Sequence, residues 1–214
     1  MVKEAGCATG LAGKWHLGYD DQFAPGRHGF EHAFYALGGG MDYFHHVEFD
    51  EAGRPAPMLR LNGRPIERQG YFTDLVTDEA VRFIRAQAGK PFFLYVAYTA
   101  PHAPFQGPDE FRPEPLPRDS QRYDQGRGPR TVYRAMVERM DHGVGRIVQT
   151  LADLRLAENT VVIFTSDNGG TKSGRNAPLS GNKGSTFEGG IRVPAVIRWP
   201  TRIPNGAVRA CESM

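Results

Sequence analysis

The sequence has few features that would assign it to a specialised class. Its 2 cysteines in 214 residues are too few for a disulfide framework and do not identify a compartment. No apolar run approaches the length of a membrane span, and no signal peptide is visible. The net charge is only +2 and the arginines are scattered, which argues against a nucleic-acid-binding protein. Internal repeats and clear linkers are also absent, so the length predicts one domain over residues 1–214.

The apolar residues alternate between helix-like and strand-like patterns. Strands are predicted over residues 7–13, 91–99, 161–165 and 193–199, the last three as apolar, buried runs. Helices are predicted from an N-cap at Thr73 to about Gly89, and over residues 131–154. Turn residues at 53–55 and 62–65 indicate a small hairpin. This alternation predicts an α/β fold with a largely parallel sheet sandwiched by helices.

Polar residues follow three of the predicted strands. Lys14 and His16 follow the first strand and, two residues apart on an extended segment, would share one face. His102 follows the second strand, and Asp167-Asn168 follow the third. Ligands bind outside the carboxyl ends of strands in open α/β sheets. The pattern therefore predicts one polar edge that could hold a tetrahedral oxyanion.

Each of these residues also has an ordinary interpretation. Lys14 could be a surface charge beside a core His16, and Asp167-Asn168 could form an Asx turn before two glycines. Lys183 could be a solvated charge, although its glycine-rich surroundings favour a tightly folded loop. Asp167 and Asn168 offer hard oxygen donors suited to Ca²⁺ or Mg²⁺. Two residues cannot supply the roughly 6–8 oxygens that Ca²⁺ prefers.

Four motifs in a fixed order are more specific than any one of them. They are Gly-Lys-Trp-His-Leu-Gly at 13–18, Tyr-Thr-Ala-Pro-His-Ala-Pro at 98–104, Ser-Asp-Asn-Gly-Gly at 166–170, and the glycine-rich run at 181–194. In this order the chain resembles the sulfatase family of the alkaline-phosphatase-like superfamily. The resemblance extends from Gly13 to Pro200. It implies an alkaline-phosphatase-like α/β fold and the hydrolysis of sulfate esters to an alcohol and inorganic sulfate.

The resemblance also implies roles for individual residues. Lys14, Lys183 and His102 would bind the sulfate group of a small-molecule or carbohydrate ester. His16 would assist proton removal near the nucleophile, and His102 would protonate or polarise the leaving oxygen. Asp167 with Asn168 would ligate a divalent cation, Ca²⁺ or Mg²⁺. Glu188 and Arg192 would brace the loop that carries Lys183.

The nucleophile of the family is not present in these residues. Sulfatases carry Cys-x-Pro-x-Arg or Ser-x-Pro-x-Arg, whose first residue becomes formylglycine, and two further aspartates upstream. Neither Cys7 nor Cys211 begins such a motif, and no serine does. The resemblance therefore predicts a fragment, incomplete at both ends and inactive alone. Its intact parent would carry the formylglycine upstream, and a periplasmic or secreted location would suit it.

Two alternatives remain open at this point. One is a phosphodiesterase or phosphonate hydrolase of the same superfamily, and the other is a non-catalytic remnant. The identity of the missing nucleophile would distinguish them. The natural ester is not predicted, because the expected specificity loops, residues 30–69 and 105–130, contain no readable code.

Overall fold

The computed structural model describes residues 2–207; Met1 and residues 208–214, with Cys211, lie outside the described residues. Within 2–207 the chain forms nine strands and three α-helices. The strands are β1 (Ala8–Lys14), β2 (His32–Ala36), β3 (Val47–Phe49), β4 (Pro55–Pro57), β5 (Leu59–Leu61), β6 (Arg64–Pro65), β7 (Phe92–Ala97), β8 (Val162–Thr165) and β9 (Ala195–Arg198). The helices are α1 (Phe72–Ala86), α2 (Arg130–Asp153) and the short α3 (Glu188–Ile191).

The main sheet has five strands in the order β6-β5-β2-β1-β7. β1 lies parallel to both neighbours, with Leu11 opposite Ala33 of β2 and Tyr95 of β7. Its five central residues are buried. β5 and β6 continue the sheet in antiparallel register. The predicted α/β fold is confirmed, with a parallel centre and an antiparallel hairpin at one edge.

Two long helices pack against each other, and α1 contacts β1 and β7 of the main sheet. α1 buries Phe72, Val76 and Ile84, and α2 buries Met136 and Leu151. Both helices were predicted, and the bounds of α2 differ by one residue at each end. In residues 2–207, no helix is both long and apolar enough to cross a lipid bilayer.

The predicted start of α1 is wrong. Tyr71 occupies the N-cap position without a capping side-chain bond, and Thr73 is buried inside the helix with its hydroxyl unpaired. The backbone nitrogen of Phe72 donates to the carbonyl of Tyr43 at 2.8 Å, and the rings of Tyr71 and Tyr43 stack. Tertiary contacts of the aromatic residues therefore set the start of the helix in place of the threonine cap.

The three predicted apolar strands form as β7, β8 and β9, but the prediction that they are buried is wrong. β8 and β9 pair antiparallel with each other in a separate two-stranded sheet. Ile163 is 64% exposed and its partner Ile197 is 51% exposed. On β7, Phe93 and Tyr95 are exposed on the face away from the helices. An apolar run indicates that its side chains favour burial. It does not indicate which strand it pairs with or which element covers it.

These exposed apolar side chains predict self-association of the 214-residue chain. Contiguous apolar surface and an unpaired strand edge both favour association in water. We expect the chain to associate as its concentration rises, and the double variant Ile163→Lys/Ile197→Lys to associate much less. Sedimentation velocity over a concentration series measures both.

A matched control is Phe111→Lys, since Phe111 is 66% exposed on a different surface. This variant should associate as the parent does. A parent chain that stays monomeric throughout the series would contradict the prediction.

Candidate active site

The Lys14–His16 run crosses the end of β1. Lys14 is the last strand residue, and the buried Trp15 donates from Nε1 to the carbonyl of Phe23 at 2.8 Å. His16 has a φ of 54°, a left-handed conformation that is uncommon for a residue with a side chain. Its backbone nitrogen donates to the carbonyl of Leu37 at 3.1 Å. The extended segment therefore ends before His16, so the argument from alternation does not hold for that residue.

His102 follows β7 between Pro101 and Pro104. Its ring nitrogen Nδ1 lies 2.7 Å from the carbonyl oxygen of Ala103. A carbonyl can only accept, so Nδ1 carries the proton. The other ring nitrogen, Nε2, lies 3.0 Å from Nε2 of Gln125. Both nitrogens are thus engaged, and the ring is fixed in one tautomer.

The three glycines 38–40 run against both imidazoles. A Cβ on Gly39 would lie 2.7 Å from Nε2 of His16, and one on Gly40 would lie 2.9 Å from Nδ1 of His102. These separations are too short for a side chain at either position. The glycine run therefore lies against both His16 and His102. It had no role in the sequence prediction.

A buried carboxylate secures this glycine segment. Asp42 is fully buried and accepts from the backbone nitrogens of Phe44 at 2.9 Å and His45 at 2.8 Å. It also accepts from Nε2 of Gln106 at 3.0 Å and from the backbone nitrogen of Leu116 at 2.9 Å. The next residue, Tyr43, donates its hydroxyl to the carbonyl of His102 at 3.0 Å.

Two loops bring Asp167 and Lys183 to the same region. The backbone nitrogen of Lys183 donates to the carbonyl of Gly170 at 3.0 Å, and that of Gly169 donates to the carbonyl of Gly190 at 2.9 Å. These bonds hold the segment 166–170 against the segment 181–190. Glu188 and Arg192, which were predicted to brace the loop that carries Lys183, form an exposed ion pair with each other at 3.1 Å.

Neighbouring charges shift the pKa values of Lys14 and His102. Burial lowers the pKa of Lys14, and the positive charge of Lys183 lowers it further, while Asp167 and Glu48 oppose this. Burial lowers the pKa of His102 to about 4, and Lys14 and Lys183 add to the shift. His102 is therefore neutral near pH 7. The structure brings Lys14, Lys183, Asp167 and His102 within electrostatic range of each other.

Asp167 and Asn168 partly fit the predicted divalent cation. Their carboxylate and amide oxygens are hard donors of the right kind. Two ligand residues are too few for the complete coordination shell of such a cation. Residues 2–207 contain no group of three or more His, Cys, Asp or Glu side chains that could hold a metal ion. The described chain could therefore contribute two ligands to such a site, and not the whole site.

Several residues around the site have no motif that would reveal them. Glu48 accepts from the backbone nitrogen of Gly40 at 3.1 Å and from the hydroxyl of Tyr19 at 2.9 Å. Gln125 lies in the expected specificity loop, residues 105–130. A cavity of about 230 Å³ opens next to Tyr19 and Arg60, lined by none of the predicted site residues. Three consecutive glycines were the one available signal, since glycine often marks a close backbone approach.

The fold and the site together define a class of protein: an α/β protein with a cationic, histidine-containing site at the carboxyl ends of parallel strands. Comparison with known families makes this specific. The model of the Sulfatase family matches residues 1–212. The chain belongs to the sulfatase family.

Individual relatives agree with this assignment. The chain is 39% identical over 228 residues to an N-acetylgalactosamine-6-sulfatase of Canis lupus familiaris, covering 97% of this chain and 40% of the relative. Among solved structures, Ps i-CgsB superposes with a TM-score of 0.80 at 36% identity, over 95% of this chain and 47% of that one. The same protein in complex with k-i-k-neocarrahexaose gives a TM-score of 0.77, over 94% and 46%. The chain thus spans about 40% of the length of the curated relative it matches.

The buried carboxylate of Asp42 yields a stability prediction. Asp42→Ala would leave four donors without their acceptor, and each unsatisfied buried group is costly. We expect the free energy of unfolding to fall by about 2–4 kcal/mol. Urea denaturation followed by circular dichroism measures the change.

Asp119→Ala is the matched control, because Asp119 is an exposed carboxylate in a neighbouring loop. Its effect should stay within about 0.5 kcal/mol. Equal stability losses in the two variants would show that the Asp42 bonds do not secure the glycine segment.

Proposed function

We propose that residues 1–214 form part of a sulfatase catalytic domain that hydrolyses sulfate esters. The observation that carries this proposal is that Lys14, at the end of β1, and Lys183, on its glycine-rich loop, both lie close enough to His102, after β7, to lower the pKa of His102. Family membership agrees with it, and the curated relative described above is named as a sulfatase.

Lys14 and Lys183 form the sulfate clamp in this proposal. Two ammonium groups close enough to lower the pKa of one of them repel each other. An anion placed between them removes this repulsion and gains charge-assisted hydrogen bonds. In the transition state the same charges offset negative charge that develops on the sulfuryl group and the leaving oxygen.

The two histidines would move protons on either side of the sulfur atom. His102 is neutral because burial and two lysines oppose its protonation. A bound sulfate ester would offset the lysine charges and so favour a proton on Nε2, where it could reach the leaving oxygen. His16, held beside Gly39, would assist proton removal from the attacking group.

Two parts of the chemistry lie outside these side chains. The attacking oxygen in this family comes from a formylglycine hydrate, and the 214 residues contain no motif that would form one. A divalent cation would add positive charge beside the sulfate group. Asp167 and Asn168 would contribute ligands to it.

The proposed substrate is a sulfated carbohydrate. One relative is named as an N-acetylgalactosamine-6-sulfatase, and one similar structure was solved with a neocarrahexaose. Both support a sugar as the alcohol part of the ester.

The sulfate clamp predicts how binding responds to mutation. Lys14→Ala and Lys183→Ala should each weaken binding of N-acetylgalactosamine 6-sulfate about tenfold or more, because each removes a charge-assisted hydrogen bond. Binding can be followed by chemical-shift titration of the isotopically labelled chain.

Lys90→Ala is the control, since Lys90 is exposed at the far end of α1. N-Acetylgalactosamine itself tests the need for the sulfate group. If neither lysine substitution changes the affinity, or if the unsulfated sugar binds equally well, the proposed clamp is wrong.

The proposed cation ligands make a second prediction. Ca²⁺ should shift the amide resonances of residues 166–170, and Asp167→Ala should remove most of that response because the carboxylate is the stronger ligand. Asn168→Asp should strengthen cation binding but weaken sulfate-ester binding, since the added negative charge opposes the anion.

Asp119→Ala again serves as the control for a lost exposed carboxylate. An unchanged Ca²⁺ response in Asp167→Ala would mean that the segment 166–170 is a structural turn, and the metal assignment would then be withdrawn.

A further inference from the structure

One contact of His102 comes from a part of the chain that no motif covers. The side-chain nitrogen of Gln125 lies 3.0 Å from Nε2 of His102. Since Nδ1 is bonded to the carbonyl of Ala103 at 2.7 Å, Nε2 of the neutral ring has only a lone pair to offer. The amide N–H of Gln125 therefore donates to the ring atom that faces the leaving oxygen in the proposed function.

The position of Gln125 is fixed from both sides of its loop. On one side, the backbone nitrogen of Gly126 donates to the carboxylate of Asp124 at 2.8 Å and closes a turn. On the other, the guanidinium of Arg122 donates to the carbonyl of Phe105 at 2.7 Å. These bonds anchor the loop on either side of Gln125, which suits its side chain to a precise contact.

The two side chains lie close enough for a third atom to contact both. Two nitrogens 3.0 Å apart form a nearly equilateral triangle with an oxygen placed at a normal hydrogen-bond distance of about 2.9 Å from each. An ester oxygen at that point would accept from the amide of Gln125 and, once the ring is protonated, from Nε2 of His102. The bond between the two side chains would then be replaced by two bonds to the substrate.

We propose that Gln125 is a specificity-determining residue that binds, together with His102, the bridging oxygen of the sulfate ester. This inference rests on the proposed function, because His102 must lie at the leaving group. It has a chemical consequence. The bridging atom of a sulfamate is an N–H group, a donor with little acceptor capacity, so it would face two donors without a partner. Gln125 therefore selects O-sulfates over N-sulfates.

Phenyl sulfate and N-phenylsulfamate test this selection, since they differ only in the bridging atom. The parent chain should bind phenyl sulfate about threefold to tenfold more tightly than N-phenylsulfamate, the range expected for one hydrogen bond. Gln125→Ala should lose most of that preference by weakening phenyl sulfate binding. Gln121→Ala, an exposed glutamine in the same segment, should behave as the parent does.

A second measurement needs no ligand. Gln125→Ala should move the ¹⁵N resonance of His102 Nε2, because it removes the donor to that atom, while Gln121→Ala should not. An unmoved resonance would overturn the inference, as would an unchanged preference between the two probes.

The outcomes also separate this inference from the proposed function. If phenyl sulfate binding depends on Lys14 and Lys183 but not on Gln125, the sulfate clamp stands and the role of Gln125 is refuted. If phenyl sulfate does not bind at all, or if its binding depends on neither lysine, the proposed function fails and this inference fails with it.

Discussion

The close approach of the glycine segment 38–40 to two imidazole rings is the contact on which the candidate site depends. Backbone atoms of Gly39 and Gly40 lie where side chains would collide with His16 and His102. The separation of the two histidines is therefore fixed by the main chain. Asp42 holds that main chain from within the core, and Glu48 holds it from the rim through the backbone nitrogen of Gly40. Flexible side chains contribute little to this spacing.

Electrostatic interactions and burial then determine the protonation of the side chains at the site. Burial and two ammonium groups keep His102 neutral and lower the pKa of Lys14. Asp167 and Glu48 oppose the shift in the pKa of Lys14, and Asp167 also opposes the shift in the pKa of His102. In the proposed function, an anion held by the two lysines would favour a proton on the histidine. Binding and proton transfer would then be coupled through the same few charges.

Sequence patterns predicted the parts of the site that depend on short-range order. The small, apolar residues of β1 and the helical spacing of α2 fixed those elements to within one residue. Polar residues after the strands predicted that Lys14 and His102 would share an edge, because the carboxyl ends of the parallel strands β1 and β7 meet there. The same argument does not account for Asp167, which follows β8 in a separate sheet. Local patterns failed where distant contacts prevailed. Aromatic packing on Tyr43 displaced the predicted cap at Thr73, and β8 found β9 as its partner.

By itself, the sequence determined the elements that could form, the order of the four motifs and the chemical groups available for an oxyanion and a cation. Those properties reside in residue types and their spacing. Only the tertiary structure decided that the glycine run lies between two histidines, that Gln125 reaches Nε2 of His102, and that the apolar strand β8 is exposed. Each of these depends on residues far apart in the chain, and hydrophobic periodicity carries no information about which distant surfaces meet.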